Sequence, residues 1–233
     1  MLARFGDAVA ATALRRSDAV RTVSPFTAEL VRSLGVEPAA DFPAYMDLEP
    51  FVAEPAPLPE QPTVLFVGVL EPYKNVDGLA DAWRLAASQV PHAALRVVGN
   101  GTLTDVAERL VREHGVRWDR QLASAEVAAA LDGAWVLVLP SRSEGMGRVL
   151  VEAFCRGRGV VGTRAGSIPN LVDDGVSGLL VPPEDPRALA AALVRVLSDR
   201  ELAERLADGA RGAAAPWLQT PEEYARRMRE LVA

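Results

Sequence analysis

Glu144 and Glu152 stand eight positions apart in the stretch SRSEGMGRVLVEAF, with Gly145, Gly147 and Arg148 between them. Ionised carboxylates accept hydrogen bonds from hydroxyl groups, sometimes in pairs. Gly145 and Gly147 permit tight turns and a close approach of backbone to a ligand. A helix is predicted from about Arg148, so its free N–H groups and positive dipole end face the glycines and make a ready anion site. Arg148 opposes that dipole. It is either an exposed arginine paired with a nearby acid or, with the helix end, half of a phosphate site. Glu152 lies among Leu150, Val151, Ala153 and Phe154; it either faces solvent or serves as an acceptor in an apolar neighbourhood. Two carboxylates around an anion site suit a ligand with phosphates in the middle and hydroxyl-rich groups at each end. A nucleotide-sugar has that form.

Lysine usage adds a second pointer. The chain has 25 Lys and Arg residues, and only Lys74 is lysine. A compact ammonium kept where arginine is otherwise written suits a site that wants a point charge rather than a planar fork; chance retention is the alternative. Other chemistries find less support. His92 and His114 have no metal-ligand spacing, no Asp-x-Asp pair occurs, and no metal is expected. No G-x-S-x-G elbow is present, and VGNGTL lacks the spacing of a dinucleotide fingerprint.

The elements that must position these residues alternate. TVLFVG, ALRVVG, VRW, WVLVLP, VVGT and GLLV read as strands. NVDGLADAWRLAASQV, Thr104 to His114, SAEVAAALDG, RVLVEAFCRG, PRALAAALVRVLSD and RELAERLADGARG read as helices. The strands are continuously apolar rather than alternating, which implies burial on both faces. The fold class is therefore α/β, a Rossmann-like parallel sheet with helices on both faces and right-handed crossovers. Ligands in such sheets sit beyond the carboxyl ends of the strands. Three loops converge there: Gly68 to Lys74, Gly99 to Gly101 and Ser141 to Gly147.

Ahead of this region, residues 1–36 read as helix, strand and helix, the second helix having Ser24 as N-cap, Pro25 in its first turn and Gly35 at its end. A proline-rich segment follows and reads as a connector. The expected division is 1–50, a linker at 51–62, the main domain at 63–215 and a last helix at 216–233.

At 233 residues and 49% hydrophobic content the chain can bury a sizeable core; with 6% aromatics that core must be mostly Ala, Val and Leu. A net charge of −6 argues against a nucleic-acid partner. The single cysteine, Cys155, cannot pair within the chain, reads as a small buried hydrophobe, and points to a reducing, cytoplasmic compartment. No run approaches the roughly 20 apolar residues that span a bilayer, so membrane contact is at most peripheral. MLARFGDAVAATALRR reads as a helix, not a signal peptide.

The E-x7-E pattern after a strand ending in Pro-Ser resembles the signature of family 4 retaining glycosyltransferases with the GT-B fold. The resemblance covers most of residues 63–200. VLFVGVLEPYKNVDGLADAW is similar to the first strand and loop of that family's donor domain, LRVVGNGTL to its second glycine turn, AGSIPNLVDDGVSGLLVPPEDPRALAAAL to its late block, and PWLQTPEEYARRMRELV to its terminal crossover helix. The resemblance implies transfer of a sugar from a nucleotide-diphospho-sugar to an unknown acceptor with retention, the leaving phosphate helping to deprotonate the acceptor. Glu144 would bond hydroxyls of the transferred sugar. Gly68, Gly101, Gly145, Met146, Gly147, Arg148 and Val149 would line the donor site. Glu152 would hold the ribose. Lys74 would stabilise charge on the diphosphate, an electrostatic contribution to catalysis. Asn100, Arg120 and Leu122 would lie near the nucleobase.

Two departures from the family stand out. Val69 occupies a position usually held by arginine, so Arg148 or another arginine replaces that phosphate contact, or donor binding weakens. Residues 1–50 resemble only the last helix–strand–helix of an acceptor domain. The resemblance then implies that most of that domain is missing, and that a second chain or a second copy covers an apolar surface around residues 1–36 and the last helix. A non-catalytic donor-binding or assembly module, or an inactive truncated remnant, is the alternative.

Overall fold

The computed structural model describes residues 2–52 and 54–232, with side chains from residue 8 onward. The expected divisions also reach Met1, Ala53 and Ala233, which lie outside the described residues. Two compact units result: one gathers the described residues up to Met46 with those from Gln219, and the other is Asp47–Leu218.

In the smaller unit, α1 (Leu2–Arg15) is followed by β1 (Arg21–Thr22), α2 (Pro25–Ser33) and β2 (Ala40–Asp41). Ser24 caps α2 as expected: its hydroxyl accepts from the Thr27 N–H, and Thr27 Oγ1 accepts from the Ser24 N–H. β2 lies inside the proline-rich segment, where no strand is expected, and pairs parallel with β1. α10 (Pro221–Val232) closes this unit. Tyr224 of α10 packs on Phe42 and Tyr45, at ring distances of 6.0 and 5.9 Å.

The larger unit alternates as the apolar runs require. Its elements are β3 (Thr63–Val67), α3 (Val76–Ala87), β4 (Ala94–Val98), α4 (Thr104–His114), β5 (Arg117–Asp119), α5 (Ser124–Asp132), β6 (Val136–Leu139), α6 (Arg148–Cys155), β7 (Gly159–Thr163), α7 (Ile168–Leu171), β8 (Gly178–Val181), α8 (Pro186–Leu197) and α9 (Arg200–Ala214). Among the described residues, six strands form one sheet in the order β5-β4-β3-β6-β7-β8, with parallel pairing throughout. Every residue of β6 and β7 is buried. Helices cover both faces, as continuous hydrophobic strands demand. The core under α3, α4 and α8 combines Phe66, Leu79, Trp83, Leu110 and Leu193 with many Ala and Val side chains. Asp185 and Asp199 cap α8 and α9 by accepting from backbone N–H groups two to three residues on. The four-residue α7 has no counterpart in the sequence reading. Cys155 is half-buried rather than enclosed, because it sits in the last turn of α6; burial still raises its thiol pKa.

The connector is not loose. Arg158, with only 1% of its side chain exposed, donates to the carbonyls of Ala56 and Pro57 at 2.9 and 3.4 Å and to those of Leu131 and Asp132, both at 2.9 Å. Burial lowers its guanidinium pKa to about 10. Arg200 donates to the Leu58 and Pro59 carbonyls, and the Trp135 indole also donates to Pro59. These donors strap residues 56–59 to the rest of the unit.

Candidate functional site

The strand order reverses between β3 and β6: chain connections leave these neighbours in opposite directions. Such a switch point opens a crevice at the carboxyl ends of the strands. The loop after β3 delivers Lys74, and the loop after β6 delivers Glu144. Their side chains meet, Lys74 Nζ donating to Glu144 Oε2 at 2.5 Å, with 11% and 14% exposure.

Crosslinks between residues far apart in sequence surround that meeting. Asn75, with φ of 56°, donates from Nδ2 to the Pro140 carbonyl at 3.1 Å in a buried bond. The Arg142 N–H donates to the Tyr73 carbonyl at 2.7 Å. The Arg142 guanidinium grips both carboxylate oxygens of Asp77 at 3.2 and 2.9 Å, reaches Glu184 at 3.1 Å and also donates to the Pro72 carbonyl. The hydrogen bond from Arg142 outweighs partial burial and holds the Asp77 carboxyl below its ordinary range; the same bond raises Arg142. Gly166 supports Glu144 from behind. The neighbouring Ser167 N–H donates to the Glu144 carbonyl at 2.8 Å, and a Cβ on Gly166 would fall 2.3 Å from that oxygen.

The second carboxylate sits one helix turn on. Gly147 occupies the N-cap position of α6, so the helix begins at Arg148 as expected. Glu152 has 10% of its side chain exposed, and its Oε1 accepts from Arg148 Nε at 2.8 Å. Of the two readings for Glu152, the structure shows the enclosed acceptor. Arg148 is paired with that acid, and half of its side chain remains in solvent. Gly145, Met146 and Val149 are half-buried along the same loop and first turn.

A second cluster lies at the ends of β4 and β5. The Leu70 N–H donates to the Asn100 carbonyl at 2.9 Å, and the Trp118 indole donates to the Gly99 carbonyl at 2.9 Å. The Arg120 guanidinium stacks 4.2 Å from the centre of the Trp118 ring, and Leu122 is half-buried just beyond. The Thr102 N–H and hydroxyl both donate to Glu71, tying this cluster to the turn that ends at Lys74. Gly101 is a glycine for an internal reason: a Cβ there would lie 2.6 Å from the Leu70 carbonyl oxygen. Gly68 lies beside the stem of Lys74, and Val69 is exposed.

The structure thus joins Lys74 to Glu144 and Arg148 to Glu152, and gathers Asn100, Arg120 and Leu122 on the β4–β5 side. It adds Asn75, Asp77, Arg142 and Gly166, which sequence reasoning did not single out. Arg142 lies inside the opening motif, yet its partner Asp77 is 65 positions away. Among the described residues, no three His, Cys, Asp or Glu side chains converge closely enough to hold a metal ion, and no helix is long and apolar enough to cross a membrane.

Known proteins resemble this chain in sequence and fold. The family model described as glycosyl transferases group 1 matches residues 61–199. A D-inositol 3-phosphate glycosyltransferase of Streptomyces griseus is 35% identical over 164 residues, which cover 65% of this chain and 34% of that protein. A GDP-mannose-dependent alpha-(1-6)-phosphatidylinositol monomannoside mannosyltransferase of Mycolicibacterium smegmatis is 30% identical over 217 residues, covering 82% of this chain and 57% of that protein. Sucrose-phosphate synthase from Thermosynechococcus elongatus matches in structure with a TM-score of 0.82 and 27% identity, over 97% of this chain and 60% of that chain. The chain spans between 34% and 60% of the length of these relatives. Its larger unit is a Rossmann-like half of the GT-B type.

Proposed function

The chain belongs to the group 1 glycosyl transferases, and from that premise we propose that it supplies the donor site for transferring a sugar from a nucleotide-diphospho-sugar to an acceptor. The observation that carries this reading is the meeting of Lys74 and Glu144 at the switch point. A diphosphate placed beyond the sheet edge would engage the Lys74 ammonium and the N–H groups that open α6. Glu144 would turn its carboxylate to hydroxyls of the transferred sugar. Glu152 would accept from the ribose, with Arg148 shifting toward phosphate. The base would lie against the Asn100, Arg120 and Leu122 cluster.

In this proposal Lys74 stabilises the negative charge that grows on the diphosphate as the sugar leaves. Retention follows if the acceptor hydroxyl approaches on the face the phosphate leaves, its proton passing to a phosphate oxygen. No metal takes part. This is the chemistry of family 4. A nucleotide-sugar donor is supported by one of the named relatives, which is described as GDP-mannose-dependent.

Calorimetric titration of the chain with UDP, GDP and ADP tests the reading. One nucleotide should bind, and Glu152→Ala and Lys74→Ala should each weaken it by about tenfold or more, as expected for loss of a charge-assisted contact. A folded chain that binds none of the three would overturn the proposal.

A further inference from the structure

Arg142 ties separate segments together, one of them the turn that carries Lys74. Its backbone N–H holds the Tyr73 carbonyl, one residue before Lys74. Its guanidinium holds the Pro72 carbonyl in the same turn, Asp77 in the first turn of α3, and Glu184 in the segment between β8 and α8. On its own strand side it lies two positions before Glu144. Glu184 has φ of 56°, a conformation uncommon for a residue with a side chain, so that segment is also tightly specified. A bidentate arginine–carboxylate grip fixes both distance and orientation, which a single hydrogen bond does not.

We infer that Arg142 is a positioning residue: with Asp77 as its anchor it locks the β3 and β6 loops in register and thereby holds the Lys74 ammonium against Glu144. It acts through Lys74. The inference rests on the proposed donor site for its meaning, yet its geometry can be tested without any nucleotide.

The chain itself provides the probe. Lys74 is its only lysine, so amine acylation reports on one side chain and the chain's N-terminal amine, which peptide mapping by mass spectrometry separates. In the native chain, the largely buried and paired Lys74 should react slowly with an acetylating N-hydroxysuccinimide ester. Arg142→Met should raise the rate at Lys74 by about fivefold or more by allowing local opening of the turn, while the N-terminal amine and the melting temperature serve as controls. Asp77→Asn should give a rise of the same direction and smaller size. A merely structural role would lower the melting temperature and leave the Lys74 rate of the folded protein unchanged, and that result overturns the inference. If Arg142→Met fails to fold, Asp77→Asn carries the same test.

Nucleotide affinity then separates this idea from the donor-site reading. If the native chain binds UDP, GDP or ADP, Arg142→Met should weaken binding about tenfold, and the further loss in the Lys74→Ala background should be under about twofold, as for residues acting as one unit. Equal losses in both backgrounds would show that Arg142 touches the ligand itself and would sink the inference. A native chain that binds none of the three overturns the donor-site reading alone, and the acylation rates still decide the role of Arg142.

Discussion

The Lys74 ammonium and the Glu144 carboxylate lie 2.5 Å apart at the reversal point of the sheet. Each is nearly enclosed, so each neutralises a charge that would otherwise be costly to bury. In the proposed complex they part company, the ammonium serving phosphate and the carboxylate serving sugar.

This makes the carboxylate a competitor for the diphosphate. Glu144→Gln should therefore raise affinity for a nucleoside diphosphate without sugar, by roughly three- to tenfold, while lowering affinity for its sugar conjugate. Lys74→Ala should lower both. Calorimetry with the nucleotide and with its sugar conjugate measures the contrast. Weaker binding of the bare nucleotide to Glu144→Gln would refute the competition.

Glu152 should discriminate ribose from its deoxygenated analogues. The native chain is expected to prefer a ribonucleoside diphosphate over the 2′,3′-dideoxy form by about tenfold or more, since the enclosed acceptor would be left unmatched. In Glu152→Ala that preference should vanish. A preference that survives the substitution would assign ribose recognition elsewhere.

Gly166→Ala should damage both fold and site. The residue has φ of 57°, and an added Cβ would meet the Glu144 carbonyl oxygen at 2.3 Å. A loss of about 2 kcal/mol or more in chemical denaturation is expected, together with weaker nucleotide binding. Little change in either would mean that the segment carrying Glu144 shifts freely.

Acid should expose the Arg142–Asp77 grip. The hydrogen bond from Arg142 holds the folded-state pKa of Asp77 below its ordinary value of 3.8. Its stabilising contribution is therefore complete above that value and is lost as pH falls through the lower folded-state one. The stability gap between the native chain and Asp77→Asn should be constant near neutral pH and shrink below about pH 4. Denaturation curves at several pH values measure it; a gap that widens in acid would contradict the assignment.

Much of the larger unit was legible because its signals are local. VLVL and GVVGT are apolar without alternation and could only be covered strands, and the helix starting at Arg148 followed from the glycines before it. The carboxylates of the site were legible for the same reason. Arg142, Asn75 and Gly166 were not, since each is explained by a partner distant in sequence: Asp77, Pro140 and Glu144. The two-residue β2 is stabilised by its pairing with β1 rather than by its own pattern, and α7 is too short for any periodicity. The Leu70 backbone beside Gly101, a close approach between two loops, was not legible either.

The carbonyl cage around Arg158 bears on where this protein can be divided. A boundary drawn by secondary structure would fall at Thr63, where β3 begins. A fragment starting there would lack the Ala56 and Pro57 carbonyls and leave an enclosed guanidinium short of acceptors. Leaving a buried donor short of a partner costs about 1–3 kcal/mol, a sizeable share of the stability of a single domain. Autonomous folding thus starts upstream of the sheet, and limited proteolysis should find residues 56–59 resistant until the whole unit opens.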